Sequence, residues 1–138
     1  SNPEFLREGS AIKDFMSPDR IVAGIDSKRA KEMLTKLYEP ICLNGAQLFF
    51  TTFESAEMIK YAANSMLALR IAFVNEIADL CERTGANIRD VSRGIGMDKR
   101  IGDKFLQPGP GYGGSCFPKD TLALRQMARN AGCTSKLM

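Results

Sequence analysis

The residues best suited to chemistry lie in one loop, Gly109-Pro110-Gly111-Tyr112-Gly113-Gly114-Ser115-Cys116-Phe117-Pro118-Lys119-Asp120. Cys116 stands just ahead of Pro118, a residue that suits the first turn of a helix. A thiol at a helix N-terminus meets partial positive charge that favours the nucleophilic thiolate, and Lys119 adds a cation. The plainer reading makes Cys116 a small buried filler, as free cysteines commonly are. On the residues alone both stay open. Gly113-Gly114 would let the backbone pass close to a ligand, and free N–H groups in such a loop can bind phosphate or an oxyanion.

Gly109-x-Gly111-x-x-Gly114 also spells the dinucleotide pattern. That pattern needs a strand before it, a helix opening inside it and an acidic residue about 20 positions later. Lys104 to Pro108 is too short an apolar run for a strand, Pro108 and Pro110 interrupt the backbone, and no carboxylate stands at the required distance. No P-loop pattern is present. The loop is therefore read as serving the thiol and a ligand.

Two further groups could join it. Lys60 and Asn64 are one helical turn apart and share a face. On an exposed helix they would be a solvated lysine and an ordinary asparagine; on an apolar helix they suggest a lined cavity. Glu4 and Glu8 flank Phe5 and Leu6 in Asn2 to Gly9, which taken alone is a surface turn.

The chain contains no histidine. Acting alone it cannot supply a Ser-His-Asp or Cys-His hydrolase, which needs an imidazole base, or an HExxH metal site. Cys42, Cys81 and Cys133 lie far from one another and from Cys116, with no C-x-x-C spacing, so no metal site is expected and the thiols are read as reduced. The 138 residues are 44% hydrophobic and 25% charged, enough for an ordinary globular core. A formal charge of +3 from 19 basic and 16 acidic residues is too mild to argue for nucleic acid. No apolar run approaches the roughly 20 residues of a membrane helix, and the chain opens polar, so no membrane and a cytoplasmic location are expected.

The elements that must position these residues are unevenly spread. Arg20 to Ile25 and Gln47 to Thr52 read as strands. Ser27 to Tyr38 reads as a helix stopped by Pro40. Phe53 to Thr84 has no proline or glycine and reads as one long helix, roughly 45 Å at ~1.5 Å per residue, with Ser55 as candidate cap and Gly85 as stop. Its apolar residues run nearly all round, which predicts burial on most sides and hence a second subunit or neighbouring domain. Asn87 caps a helix through Ile95, and a last helix opening around Pro118 runs to about Ala131, stopped by Gly132. The expected fold is mainly α, a helical domain on one long central helix, with a few residual β-strands from the end of a Rossmann-type domain. The boundary falls between residues 1–52 and 53–138.

Four stretches in order resemble one family. GYGGSCFPKD resembles the active-site loop of the UDP-glucose 6-dehydrogenase family. Asn2 to Gly9 is similar to its substrate-binding segment, Glu57 to Ala78 to its long central helix, and Gly96 to Gly114 to the stretch leading into the cysteine. The resemblance implies the end of a nicotinamide domain and the whole of a central dimerisation domain. The glycine fingerprint for NAD and a third domain would lie outside this sequence, so the piece alone is expected to be inactive. It implies oxidation of a UDP-sugar with two NAD through a thiohemiacetal and a thioester on Cys116. Lys60 would stabilise the developing alkoxide, Asn64 would assist through a water or the same oxygen, Asp120 would help move protons and Glu4 would steer or activate water. Phe5, Leu6, Arg7 and Glu8 would line the sugar site, with Glu8 and Lys119 near the nicotinamide. Arg100 would reach a substrate in the neighbouring subunit of a homodimer, and Phe105, Tyr112 and Gly113 would contact the nucleotide sugar. The alternatives are a sister enzyme for GDP-mannose or UDP-N-acetylmannosamine, or a purely structural dimerisation module.

Overall fold

The computed structural model describes residues 1–134; the last four positions of the expected 53–138 domain lie outside the described residues. The chain divides into two compact units, Ser1–Lys60 and Tyr61–Met138.

The first unit holds α1 (Ala11–Met16), β1 (Arg20–Gly24), α2 (Lys28–Cys42), β2 (Gln47–Thr51) and the opening turns of α3 (Phe53–Thr84). The two strands pair in parallel, with Arg20 opposite Gln47 and Gly24 opposite Thr51. Parallel neighbours cannot be joined by a tight turn, and α2 is the crossover. Ser27 starts it, its hydroxyl accepting from the Ala30 N–H at 3.2 Å. The apolar run Ile21-Val22-Ala23 is buried to 7%, 1% and 0% exposure and forms the core. Gly24 ends β1 beside the first residues of α3. A Cβ there would stand 2.7 Å from Phe53 Cα and 2.8 Å from the Thr52 carbonyl oxygen, a backbone contact that only glycine allows.

Two boundaries differ from the sequence expectation. Helix α2 passes through Pro40 and ends at Cys42. Pro40 falls in its last turn, where the missing N–H deprives only the carbonyl of exposed Lys36 of an intrahelical partner. The cap of α3 is Thr52 rather than Ser55: the Thr52 hydroxyl accepts from the Ser55 N–H at 3.3 Å, and Ser55 is already helical. Thr-x-x-Ser spacing sets that hydroxyl over the third N–H of the helix, where a cap acts. The short α1 has too few residues for a periodic signal, and nothing in its sequence announced it.

The second unit holds the rest of α3, then α4 (Ile88–Gly96) and α5 (Cys116–Asn130). Helix α3 ends where expected. Gly85 turns left-handed at φ 76°, and the Ala86 N–H donates back to the Cys81 carbonyl at 3.1 Å. Helix α5 ends the same way, through Gly132 at φ 70° and the Cys133 N–H on the Ala128 carbonyl at 2.8 Å. Asn87 caps α4, its Oδ1 accepting from the Arg89 N–H at 2.9 Å. Ala68, Val74, Cys81 and Leu106 are buried together with the polar Asn64, Ser65 and Asp120. The all-round burial expected of α3 is not met within this chain: Met66 is 58% exposed, Phe73 48% and Leu80 55%. No helix of the described residues is long and apolar enough to cross a membrane.

Candidate functional site

The residues singled out from the sequence fall into two groups, one in each unit. In the first, the segment Asn2–Gly9 is tied to β1 at its entry. The Gly24 N–H donates to the Ser1 carbonyl at 2.7 Å, and the Asn2 side-chain amide donates to the Val22 carbonyl at 2.7 Å. The Tyr38 hydroxyl donates to Asn2 Oδ1. The chain then folds back on Glu4, whose Oε2 accepts the Leu6 N–H at 2.6 Å and whose Oε1 accepts from Lys60 Nζ at 3.1 Å. The Lys60 side chain is only 16% exposed. Its ammonium lies 5.5 Å from the centre of the Phe5 ring, and Arg20 Cζ lies 4.1 Å from the same centre. Phe5 is thus held by two cations, beside an ammonium and a carboxylate that are already paired.

Arg7 is occupied within the loop. Its Nη2 and Nε donate to Asp14 Oδ1 and Oδ2 at 2.6 and 2.9 Å, and its own N–H reaches Oδ2 at 2.9 Å. This two-pronged contact ties the segment to α1, with the Ser10 hydroxyl donating to the same carboxylate at 3.0 Å. Leu6 is half-buried and Glu8 exposed. The Arg7 side chain holds the Asp14 carboxyl well below the usual carboxylate range against the opposing effect of desolvation, with the Arg7 N–H and Ser10 hydroxyl adding to it. A depressed folded-state pKa stabilises above the unfolded value of ~3.9 and is lost only as pH falls through the lower, folded value. A carboxyl titration of Asp14 by NMR is expected to show a midpoint clearly below that of an unstructured aspartate; a midpoint at ~3.9 would show that the contact does not persist in solution.

In the second unit Cys116 is the first residue of α5, as the placement of Pro118 suggested. It is half-buried, with Sγ 3.7 Å from the Ser115 hydroxyl. The loop reaches it through Gly111 and Gly114, both left-handed at φ 111° and 78°; Gly113 is exposed. One turn along α5, Asp120 is 2% exposed. Its Oδ2 accepts from Asn64 Nδ2 at 2.6 Å, and its Oδ1 lies 3.5 Å from Lys119 Nζ. A buried carboxylate without partners would be strongly unfavourable; the amide and the ammonium supply them. Phe105 and Tyr112 both meet Phe117 edge-on, with ring centres 6.2 and 6.3 Å away, a favourable aromatic geometry. Arg100 is exposed and folds onto Asp98 at 2.5 Å, holding that carboxyl below its ordinary range by its side-chain hydrogen bond and then by its backbone N–H.

The sequence reading missed Arg20, Asp14 and Phe117. It also missed two polar residues of α3, Arg70 and Asn75, which reach the loop after α4. Asn75 lies about three turns beyond Asn64 on nearly the same face, a spacing that could have marked it. The glycine pattern at 109–114 has no strand before it, in keeping with its rejection as a dinucleotide fingerprint.

A family model for the UDP-glucose/GDP-mannose dehydrogenase family, central domain, matches residues 54–138. The chain belongs to this family. A second model, for the family's NAD binding domain, matches residues 1–42, so the 109–114 loop falls in the central-domain match. Among curated relatives, the UDP-glucose 6-dehydrogenase of Rhizobium meliloti (strain 1021) is 63% identical over 132 residues, covering 94% of this chain and 30% of that protein. Among solved structures, a UDP-glucose dehydrogenase from the hyperthermophilic archaeon Pyrobaculum islandicum aligns with a TM-score of 0.92 at 46% identity, over 96% of this chain and 30% of that one. A GDP-mannose dehydrogenase from Pseudomonas aeruginosa aligns with a TM-score of 0.67 at 36% identity, over 96% and 30%. The chain thus spans about a third of the length of the family members it matches. Family membership accounts for the mainly α fold and for a parallel strand pair ahead of the long helix.

Proposed function

We propose that this chain is a segment of a cytoplasmic UDP-glucose 6-dehydrogenase, with residues 1–52 closing its NAD-binding domain and residues 53–138 forming its central dimerisation and active-site domain. The observation that carries the reading is the buried Asn64–Asp120 hydrogen bond, one turn along the helix that Cys116 opens. It supports a reacting sulfur backed by polar groups rather than by packed hydrocarbon. The higher TM-score and identity to the UDP-glucose enzyme than to the GDP-mannose enzyme support the choice of sugar nucleotide.

In this reading Phe5, Leu6, Arg7 and Glu8 line the sugar, and Phe105, Tyr112 and Gly113 face the nucleotide. Arg100 reaches the site of a partner subunit. Glu8 and Lys119, both exposed, approach the nicotinamide, whose main site lies outside this chain. The parallel β1-α2-β2 unit is of the kind that builds nicotinamide-binding domains, which supports that cofactor. NAD supplies the hydride acceptor for both oxidations. After the first, Cys116 Sγ adds to the C6 aldehyde to give a thiohemiacetal, and the Lys60 ammonium stabilises the oxyanion, with Asn64 assisting. After the second, the thioester carbonyl is attacked by water oriented by Glu4. The acid departs and Sγ regains its proton, with Asp120 helping proton movement. The covalent bond keeps a reactive aldehyde from escaping. The segment alone is expected to be inactive.

A full-length enzyme carrying this segment is expected to form two NADH per UDP-glucose and to oxidise GDP-mannose and UDP-N-acetylmannosamine at least about tenfold more slowly, one pocket contact's worth of discrimination. Faster oxidation of GDP-mannose would overturn the substrate assignment.

The exposed Met66, Phe73 and Leu80 recur every seven residues along α3, a spacing that lines one face for a partner helix. They support a homodimer through the central helix, and a structural role for the isolated piece. Sedimentation at micromolar concentration is expected to give a dimer, and Phe73→Glu a monomer. A wild-type monomer would count against this interface.

A further inference from the structure

The loop that follows α4 is fastened to α3 at both ends by side chains that no step of the reaction uses. At its start, Arg70 Nη1 and Nη2 donate to the Ile101 and Gly102 carbonyls at 2.7 and 2.8 Å. Arginine's planar fork suits two adjacent acceptors, whereas a lysine offers one point of attachment. At its end, Asn75 Oδ1 accepts the Gly109 N–H at 2.9 Å. Between these anchors Leu106 is buried at 3% exposure. Its neighbour Phe105 is the one non-glycine residue with positive φ among the described residues, at 61°. A bulky side chain does not adopt that conformation without surrounding structure to enforce it. The enforced conformation brings the Phe105 ring edge-on to Phe117, the residue next to Cys116.

We propose that Arg70 and Asn75 are positioning residues that clamp the 101–109 loop and thereby hold Phe105 where the nucleotide sugar binds. The proposal rests on the reading that Phe105, Tyr112 and Gly113 face that ligand. Arg70 and Asn75 act on binding through Phe105, so their loss weakens sugar-nucleotide affinity and leaves NAD affinity and the sulfur chemistry alone.

The test uses the full-length enzyme. Asn75→Ala removes one hydrogen bond and is expected to raise KM for UDP-glucose about fivefold, with kcat and KM for NAD within twofold. Asn75→Asp keeps an acceptor oxygen for the Gly109 N–H and is expected to restore KM. Arg70→Lys, which cannot serve both carbonyls, is expected to raise the same KM about tenfold. Equal rises in KM for both substrates, or no rescue by Asn75→Asp, would overturn the proposal. Amide hydrogen exchange on the free enzyme separates it from the functional reading. Asn75→Ala is expected to speed exchange at Gly109 whatever the substrate proves to be, and an unchanged rate would refute the clamp by itself. An enzyme that ignores UDP-glucose yet shows the faster exchange would sink the substrate assignment and the proposed binding role, while leaving the clamp as structure.

Discussion

Cys116→Ser in the full-length enzyme is expected to halt acid formation after about one NADH per active site, with steady turnover down at least roughly a thousandfold. The argument starts from what the residue must do. The first oxidation needs no sulfur, so it should survive. The second needs the aldehyde carbon held as a tetrahedral adduct, and a serine hydroxyl at the start of α5 keeps its proton at neutral pH, where a thiol in the same place is eased toward the nucleophilic thiolate. Cys116 Sγ meets the Ser115 hydroxyl at 3.7 Å, itself no base. NAD affinity should be unchanged, as the main cofactor site lies elsewhere. Rapid-quench analysis of NADH and acid checks this, and wild-type acid release by the variant would remove the covalent mechanism.

Lys60→Ala is expected to lower kcat by about a hundredfold to a thousandfold, the loss seen when one donor to a developing oxyanion is removed, while KM for UDP-glucose rises less than tenfold. Lys60 is mostly buried beside Glu4 and Phe5, so its charge is poorly screened by solvent and strongly felt nearby. The ammonium is attached to α3 rather than to a loop, which fixes its position at little entropic cost during reaction. Glu4→Gln should be milder, because the amide oxygen can still accept from one of the two donors, Lys60 or the Leu6 N–H, that the two carboxylate oxygens now serve. Pre-steady-state NADH formation separates the chemical step from release. A Lys60→Ala enzyme with unaltered kcat would show that the ammonium serves the Glu4 turn and not the reaction.

The central helix was legible in its extent and its end, because proline- and glycine-free sequence bounded by Gly85 leaves few alternatives to a continuous helix. The caps at Ser27, Asn87 and Gly132 were legible for the same reason: each is a local rule of hydroxyl, amide or missing Cβ. Pro40 misled because the rule against proline weakens in a last turn, and Ser55 misled because the threonine three residues ahead caps the helix first, its hydroxyl accepting the N–H of Ser55 itself. Within the site, the Lys60–Asn64 spacing and the position of Cys116 at the start of α5 could be read along the chain. The pairings Asn64–Asp120, Lys60–Glu4 and Arg7–Asp14 could not. The first two join residues 56 positions apart, and no local periodicity encodes which distant side chain closes a contact. Arg7–Asp14 is nearer, but it depends on the short α1 that the sequence did not announce.

Where Phe105 faces the nucleotide sugar, as proposed, its left-handed backbone sets thermotolerance against discrimination. An ordinary L-residue there carries a penalty of about 1–2 kcal/mol that glycine escapes. Laboratory evolution under heat selection alone should therefore drift toward glycine or asparagine at this position, and the survivors should accept a wider range of nucleotide sugars.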